Sequence, residues 1–290
     1  MIYIFGQKAK EADCQYVEEL DRYLVAKGVK HKYYEPFYKE LTAFSDIKSP
    51  CFASYKDVLE DQPDYLISLG GDGTILSAMT VLRDSNTPII GINLGRLGFL
   101  ASIEKQRISE AMDLVFKGKY ALINRSMISL ESEANIFGEI PFALNDFTIS
   151  KRDTSSMVII HTYIDDEFLN SYWADGLIVS TPTGSTGYSL SCGGPIIYPG
   201  SGNFVITPIA PHNLNVRPMV IPDDKTLSFE IEGRSRNFLC TLDARYETIH
   251  SDQRIYIRRN SFDARLVNLF DVDFLKTIRS KLNWGLDKRN

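Results

Sequence analysis

The chain has 290 residues, of which 44% are hydrophobic and 24% are charged, as in an ordinary globular protein of one large or two smaller domains. Its formal net charge of -5 argues against the basic face that non-specific nucleic-acid binding requires, so no nucleic-acid partner is expected. No apolar run reaches the ~18 residues of a membrane helix, and scattered cysteines without a CxxC pair or a signal peptide predict a reduced, cytoplasmic protein with no membrane partner.

The first 120 residues alternate between strand-like and helix-like patterns. Buried strands are predicted at residues 2–5, 29–35, 65–69 and 87–93, and amphipathic helices at residues 11–27, 75–82 and 108–116. The stretch from 37 to 63 shows no clear pattern and reads as either a loop or a poorly marked helix. Apolar strands that alternate with helices predict an open parallel sheet covered on both faces.

The third strand ends in Gly70-Gly71-Asp72-Gly73-Thr74, which we call the glycine loop. Glycines between a strand and a helix leave backbone N–H groups free at the helix N-terminus, where they bind phosphate. A carboxylate repels phosphate, so Asp72 indicates that the loop also addresses a hydroxyl or a divalent cation. The structural alternative is a tight turn with Asp72 as the helix N-cap. The loop matches neither a Walker A sequence nor the G-x-G-x-x-G of dinucleotide-binding dehydrogenases.

The pattern changes near Tyr120, after which strands and turns dominate to about Leu242. Strand-like stretches are SMISLESEA, ALNDFTISK, MVIIHTYIDDEFL, GLIVSTP, TLSFEIEG and NFLCTLDA. They predict a β-rich sandwich or layered sheet. The predicted organisation is an α/β domain at 1–122 and a β-rich domain at 123–261, with a C-terminal helix at 262–290 that packs back on the first domain.

Three further stretches contain polar groups, and each can be interpreted either as a structural element or as part of a ligand-binding site. NLGRLGFL, at 93–100, follows the fourth strand and lies at the end of a parallel sheet where ligands bind; it is otherwise a turn. Asn145 and Asp146 interrupt a strand-like run, either as a turn or as ligand-facing groups. The segment 174–199 is rich in hydroxyls and glycines, and a flexible linker is its structural alternative.

Together these stretches resemble the NAD kinase family. The family's GGDGT is present at Gly70 to Thr74, its Asn-Glu/Asp pair at Asn145-Asp146, and its TPTGSTAYSLSAGGP at Thr181 to Pro195, with Gly187 and Cys192 where alanine is usual. GGDGT alone is shared with phosphofructokinases and lipid kinases, whereas the TPTGST stretch at this distance is specific.

The resemblance implies ATP-dependent phosphorylation of NAD on the 2′-hydroxyl of its adenosine ribose, a divalent cation, with Mg²⁺ favoured, that accompanies ATP without fixed protein ligands, and a homodimer or homotetramer. It implies that Asp72 is catalytic and that the donor phosphates lie near Gly70, Gly71, Gly73 and Thr74. It implies NAD contacts from Asp72, Gly73, Phe99, Asn145, Asp146, Asp175, Thr186, Gly187, Tyr188, Ser191 and Ala210, with His212 near the nicotinamide end or a subunit contact.

The chain departs from the family at two places that affect these expectations. Trp173 stands where a polar residue is common, and Asp243-Ala244-Arg245 stands where the family often has Asp-Gly-Gln. Arg245 is expected either to bring positive charge to the site or to lie on a solvated face. A GGDGT-type lipid kinase and a non-catalytic NAD-sensing regulator are the alternative functions.

Overall fold

The computed structural model describes residues 1–95, 97–152, 157–233, 236–270 and 274–284. These described residues form two compact units, one from the ranges 1–124 and 265–284 and the other from the range 125–264. Within the described ranges, every helix is too short or too polar to cross a membrane.

The elements follow one another along the chain with short connections. The first part contains β1 (Ile2–Gly6), α1 (Glu11–Ala26), β2 (His31–Tyr34), α2 (Glu35–Leu41), β3 (Cys51–Phe52), α3 (Tyr55–Asp61), β4 (Tyr65–Leu69), α4 (Asp72–Leu82), β5 (Ile89–Asn93), β6 (Ile103–Glu104), α5 (Ile108–Phe116) and β7 (Ala121–Arg125). The second part contains β8 (Ile128–Ser132), β9 (Phe142–Ala143), β10 (Asp146–Lys151), β11 (Val158–Ile164), β12 (Glu167–Ala174), β13 (Gly176–Ser180), α6 (Tyr188–Ser191), β14 (Asn203–Ile209), β15 (Met219–Pro222), β16 (Leu227–Glu232), β17 (Asn237–Leu242), β18 (Arg245–His250), β19 (Ile255–Arg259), β20 (Ala264–Asn268) and α7 (Phe274–Leu282).

The first unit is built on an eight-stranded sheet in the order β3-β2-β1-β4-β5-β20-β7, with β6 beside β5. β1 pairs in parallel with both β2 and β4, and β4 pairs in parallel with β5. The chain therefore proceeds outward from β1 in two directions, and the loops after β1 and β4 flank the point at which ligands bind in open α/β sheets.

Helices α1 and α5 cover the apolar strands of this sheet. Leu20 and Leu24 of α1 and Met112 of α5 are fully buried in one cluster with Ile4 and Ile67 of the sheet. The apolar residues that recur with helical period in 11–27 and 108–116 therefore form the faces that pack on the sheet.

Several local predictions in the first unit needed correction. The unassigned stretch 37–63 contains most of α2 together with β3 and α3. The strand predicted at 29–35 is shorter, because β2 ends at Tyr34, and Pro36 occupies the first turn of α2, where a missing N–H costs nothing. The end of the chain is not one helix: β20 extends the sheet beside β5 before the short helix α7.

The second unit is an antiparallel sandwich of two six-stranded sheets. Their orders are β15-β14-β13-β10-β17-β18 and β12-β11-β16-β19-β8-β9. Inward side chains from both sheets form one core, with Phe147 packed on Phe229 at 5.7 Å between ring centroids. The predicted fold class, an α/β unit with a parallel sheet and a β-rich unit, is confirmed.

Candidate active site

The glycine loop joins β4 directly to α4, which begins at Asp72 rather than at residue 75 as predicted. A Cβ on Gly70 would lie 2.1 Å from the Thr74 hydroxyl oxygen, and Gly70 has a φ of +158°. Glycine is therefore required there on both steric and conformational grounds. The earlier helix start places the N–H groups of Asp72 and Gly73 in the first turn, where no intrahelical acceptor lies four residues back. The N–H of Thr74 donates to Gly71 O at 3.0 Å.

A pocket of about 730 Å³ opens beside the glycine loop within the first unit. Its walls include Phe5, Gln7, Lys8, Lys10, Asp13, Tyr34, Leu69, Gly70, Gly71, Thr74, Ser77, Thr80, Val81, Asn93, Leu94 and Gly95. The carboxylate of Asp13 is neutralised by Lys105 at 2.9 Å. Exposed Lys8 and Lys10 therefore leave the pocket positive, which suits an anionic ligand against the helix N-terminus.

Asp72 is anchored by the loop that follows β5. Its Oδ2 accepts the N–H of Phe99 at 2.8 Å, and its Oδ1 accepts those of Leu100 and Ala101 at 3.0 and 2.9 Å. A Cβ on Gly98 would lie 1.9 Å from Oδ1, so glycine at 98 is what lets the loop approach. Because a carboxylate oxygen accepts two hydrogen bonds, Oδ2 keeps one acceptor position.

Phe99 itself contacts the C-terminal helix. Its ring packs against that of Phe274 with 6.2 Å between centroids. The side chain of Phe99, which was predicted to form an apolar wall, thus packs against α7, while its backbone N–H donates to Asp72.

The pair Asn145-Asp146 lies at the start of β10 rather than inside a strand. Gly184 of the TPTGST stretch packs on it, since a Cβ there would be 2.1 Å from the Asn145 carbonyl oxygen. Asp146 is 8% exposed. Burial, followed by the nearby charge of Asp243, raises the pKa of Asp146 to about 7, while the hydrogen bond from Thr148 opposes the shift.

Most hydroxyls of the segment 174–199 serve the fold rather than a ligand. The hydroxyl of Thr181 donates to Leu144 O at 2.6 Å, that of Ser185 to Pro182 O at 2.7 Å, and the Ser189 and Thr207 hydroxyls pair at 2.8 Å. Burial without such partners would cost about 1–3 kcal/mol for each group. Local hydrogen bonding therefore makes this density of hydroxyls compatible with a folded core.

The four residues predicted around adenine lie on the more open side of this segment. Thr186 and Gly187 are partly exposed, and Tyr188 and Ser191 are exposed. Burial raises the pKa of the Tyr188 phenol, and the charges of Cys192, Asp146 and Asp175 add to the shift. Tyr188 therefore lies near both predicted NAD-binding carboxylates.

Asp175, Ala210 and His212 come together where β13 begins and β14 ends. Asp175 N–H donates to Ile209 O at 2.9 Å, and His212 N–H donates to Trp173 O at 2.8 Å. The Asp175 carboxylate pairs with Lys151 at 2.6 Å. Ala210 has a φ of +44°, so the chain turns sharply there. Trp173 is 52% exposed beside this group.

Sequence reasoning missed or left open several residues of these sites. Lys8 and Lys10 follow β1 at its carboxyl end, and the crevice rule that pointed to 93–100 applies to them equally. Arg245 does not lie on a solvated face: it is partly buried and donates to the carbonyls of Ile140 and Phe142. No local pattern predicts such long-range contacts.

An α/β unit with an acid-bearing glycine loop beside a positive pocket, followed in the chain by a β-sandwich, defines a nucleotide-dependent kinase of the GGDGT type. Two family models match the chain, the ATP-NAD kinase N-terminal domain at residues 2–120 and the ATP-NAD kinase C-terminal domain at residues 144–269. The chain belongs to the NAD kinase family, and it catalyses the ATP-dependent phosphorylation of NAD to NADP.

Similar proteins span the whole chain. The NAD kinase of Cytophaga hutchinsonii is 48% identical over 288 residues, covering 99% of each chain. The NAD kinase of Flavobacterium psychrophilum is 44% identical and covers 100% of this chain and 99% of its own.

Two solved structures share the fold. A yeast NADH kinase complexed with NADH superposes with a TM-score of 0.87 at 23% identity, covering 99% of this chain and 88% of its own. An NAD kinase from Archaeoglobus fulgidus in complex with ATP gives a TM-score of 0.74 at 24% identity, covering 98% of this chain and 99% of its own.

Proposed function

We propose that Asp72 is the residue that accepts the proton of the adenosine 2′-hydroxyl of NAD as ATP phosphorylates it. The observation that carries the proposal is the anchored carboxylate of Asp72, which three backbone N–H groups orient while Oδ2 keeps an acceptor position. A substrate hydroxyl can donate to that position without displacing the loop.

The donor triphosphate binds at the glycine loop, against Gly70, Gly71, Gly73 and Thr74. The N-terminus of α4, through its helix dipole, and the two lysines after β1 supply the positive potential that phosphate oxygens require. Phe5, Tyr34 and Val81 give the same pocket an apolar wall, which suits the remainder of the nucleotide.

NAD is held by Asn145, Asp146 and Asp175 together with Thr186, Gly187, Tyr188, Ser191 and Ala210, and Gly73 and Phe99 are assigned to NAD binding as well. Side-chain amide and carboxylate groups recognise ribose hydroxyls and base edges by hydrogen bonds. Sites of this kind reject ligands that lack the matching group far more strongly than apolar pockets do.

In the transfer, the 2′-oxygen forms a bond to the γ-phosphorus while the bond from that phosphorus to the bridging oxygen breaks, and ADP leaves with the electron pair. The proton of the 2′-hydroxyl passes to Asp72 Oδ2. In a loose transition state this proton leaves late, so an ordinary carboxylate suffices.

A divalent cation, with Mg²⁺ as our proposal, accompanies the triphosphate. The described part of the chain contains no group of three or more His, Cys, Asp or Glu side chains placed to hold a metal, and phosphate oxygens and water would supply most ligands to magnesium. When bound, the ion neutralises charge on the phosphates.

Replacing Asp72 by Asn tests this assignment. The amide keeps the shape but cannot take up a proton, so kcat should fall about 100-fold or more, in line with general-base contributions. The dissociation constant for NAD, measured by calorimetry, should change by less than about 5-fold, since little ground-state binding is removed. NADP is measured with a coupled dehydrogenase in the presence of ATP and magnesium.

Asp46→Asn is the matched control, because Asp46 is an exposed aspartate of the same unit, and it should behave like the unmodified protein. Near-normal turnover of the Asp72 variant would contradict the assigned role.

The assembly into a homodimer or homotetramer and the cytoplasmic location of the protein stay predictions.

A further inference from the structure

The hairpin tip between β17 and β18, residues 243–245, forms hydrogen bonds to the backbone of the Asn145-Asp146 pair. The Asp243 carboxylate accepts the N–H groups of Leu144 at 2.9 Å, Asn145 at 2.7 Å and Asp146 at 3.3 Å. The N–H of Asp243 in turn donates to Asp146 O at 3.0 Å. One side chain thus serves three consecutive amides, at a residue whose φ is +53°.

Thr181 holds the same backbone by its carbonyl groups. Its N–H donates to Asn145 O at 2.9 Å and its hydroxyl donates to Leu144 O at 2.6 Å. The amides are therefore fixed by Asp243 and the carbonyls by Thr181, so the peptide planes that carry the Asn145 side chain have little freedom to rotate.

Arg245 extends this support to the residues just before the pair. Its guanidinium donates to Ile140 O and to Phe142 O, and it lies 5.7 Å from the ring centroid of Phe137 and 5.9 Å from that of Phe142. A forked donor reaches two carbonyls at once, so the strand entering the pair is held from the same hairpin tip.

We propose that residues 243–245, together with Thr181, are positioning residues that set the affinity for NAD by fixing Asn145 and Asp146. They do not touch the reacting atoms in this assignment. The inference rests on the proposed function, because it takes Asn145 and Asp146 as NAD contacts. Its kinetic signature is a raised KM for NAD with an unchanged KM for ATP, since the ATP pocket is built from the first unit.

The primary test is Asp243→Asn. The amide keeps one carbonyl oxygen but turns an NH2 group toward a backbone N–H, so at least one of the three hydrogen bonds is lost. We expect the KM for NAD to rise about 10-fold or more, with the KM for ATP within about 2-fold. Asp252→Asn, an exposed aspartate of the same unit, is the control and should leave both constants unchanged.

A second pair of variants keeps the test decisive if Asp243→Asn does not fold. Thr181→Val removes the hydroxyl that donates to Leu144 O and should raise the KM for NAD. Thr181→Ser retains the hydroxyl, so its KM for NAD should stay within about 2-fold of that of the unmodified protein. Equal effects of Val and Ser, or parallel changes in the constants for NAD and ATP, would overturn the inference.

Asn145→Ala separates this inference from the proposed function. If that variant raises the KM for NAD but Asp243→Asn and Thr181→Val do not, the NAD site stands and the positioning role is wrong. If Asn145→Ala leaves the KM for NAD unchanged, the assignment of the pair to NAD itself fails.

Discussion

Two aspartates, Asp72 and Asp243, each accept three backbone N–H groups from a neighbouring loop. Hydrogen bonds to a charged group contribute about 1.5–3 kcal/mol each, so each carboxylate organises a loop that has no regular structure of its own. The pKa of Asp243 is raised by burial, against which its three amide donors and Arg245 act. At the level of single residues, an acid and a backbone segment fix each other at both places. At Asp72 the acid has the proposed function, whereas at Asp243 the segment with Asn145 and Asp146 has it.

Gly98→Ala tests the arrangement around Asp72. The added methyl would lie 1.9 Å from the Asp72 carboxylate, so either the carboxylate or the loop must move by about 1 Å or more. Displacements of that size cost up to about 100-fold in rate, and we expect kcat to fall at least about 10-fold. Steady-state kinetics measures the rate, and the thermal midpoint reports any accompanying loss of stability.

Ser102→Ala is the control for Gly98→Ala, because it lies in the same loop and removes atoms rather than adding them. It should leave kcat within about 2-fold. A Gly98 variant with normal turnover would mean that the contact between loop and carboxylate has no bearing on catalysis.

At the level of elements, the loops that we propose for catalysis are connected to helices and strands that are fixed by capping and burial. α3, which contacts the glycine-loop helix α4, begins after Ser54 with a capping box. Asp57 accepts the N–H groups of Ala53 and Ser54 at 2.9 Å each. The pKa of Asp57 is lowered chiefly by the hydrogen bond from Ala53.

Asp57→Ala should lower the free energy of unfolding by about 1 kcal/mol, the usual contribution of a helix cap. Because the folded-state pKa of Asp57 is depressed, this contribution is present at neutral pH and is lost as the pH falls through that pKa. Urea unfolding at pH 7 and at acid pH measures both effects. Glu60→Ala, which removes only the exposed pair with Lys56, should cost less than about 0.5 kcal/mol; an equal cost would exclude capping as the cause.

At the level of the whole molecule, a buried acid of the second unit, Asp146, should contribute to the pH dependence of stability. The pKa of Asp146 is raised to about 7 by burial and by Asp243, against ~3.9 in an unfolded chain. Between these values the folded state holds a proton that the unfolded state has released. Stability from this group is therefore complete below about pH 4 and falls as the pH rises toward 7.

Asp146→Asn removes this titration and keeps the neutral shape. The difference in free energy of unfolding, variant minus unmodified protein, should increase with pH up to about 7, by at most about 1.4 kcal/mol per pH unit, and then level off. Urea unfolding at pH 5, 6, 7 and 8 measures it. Asp224→Asn, an exposed position, should give a flat difference, and a flat difference for Asp146 as well would contradict the raised pKa.

The sequence alone indicated the fold class, through apolar runs of strand and helix period. The family and the activity came from the resemblance of its motifs, Gly70 to Thr74, Asn145-Asp146 and Thr181 to Pro195, to those of the NAD kinase family. The sequence also located β1, β4, β5, α1 and α5 to within a few residues, because each has a strong apolar period.

The tertiary structure alone decided what holds the two sites together. The partners of Asp72 are 27 to 29 residues away and those of Asp243 are 97 to 99 residues away, so no periodicity or spacing can indicate them. The same applies to β20, which joins the first sheet from the end of the chain, and to Arg245, whose carbonyl acceptors precede it by more than 100 residues. Every residue except proline offers the same backbone donor and acceptor, so the sequence does not show which of them will pair. Only the folded chain brings a particular backbone group close to its partner.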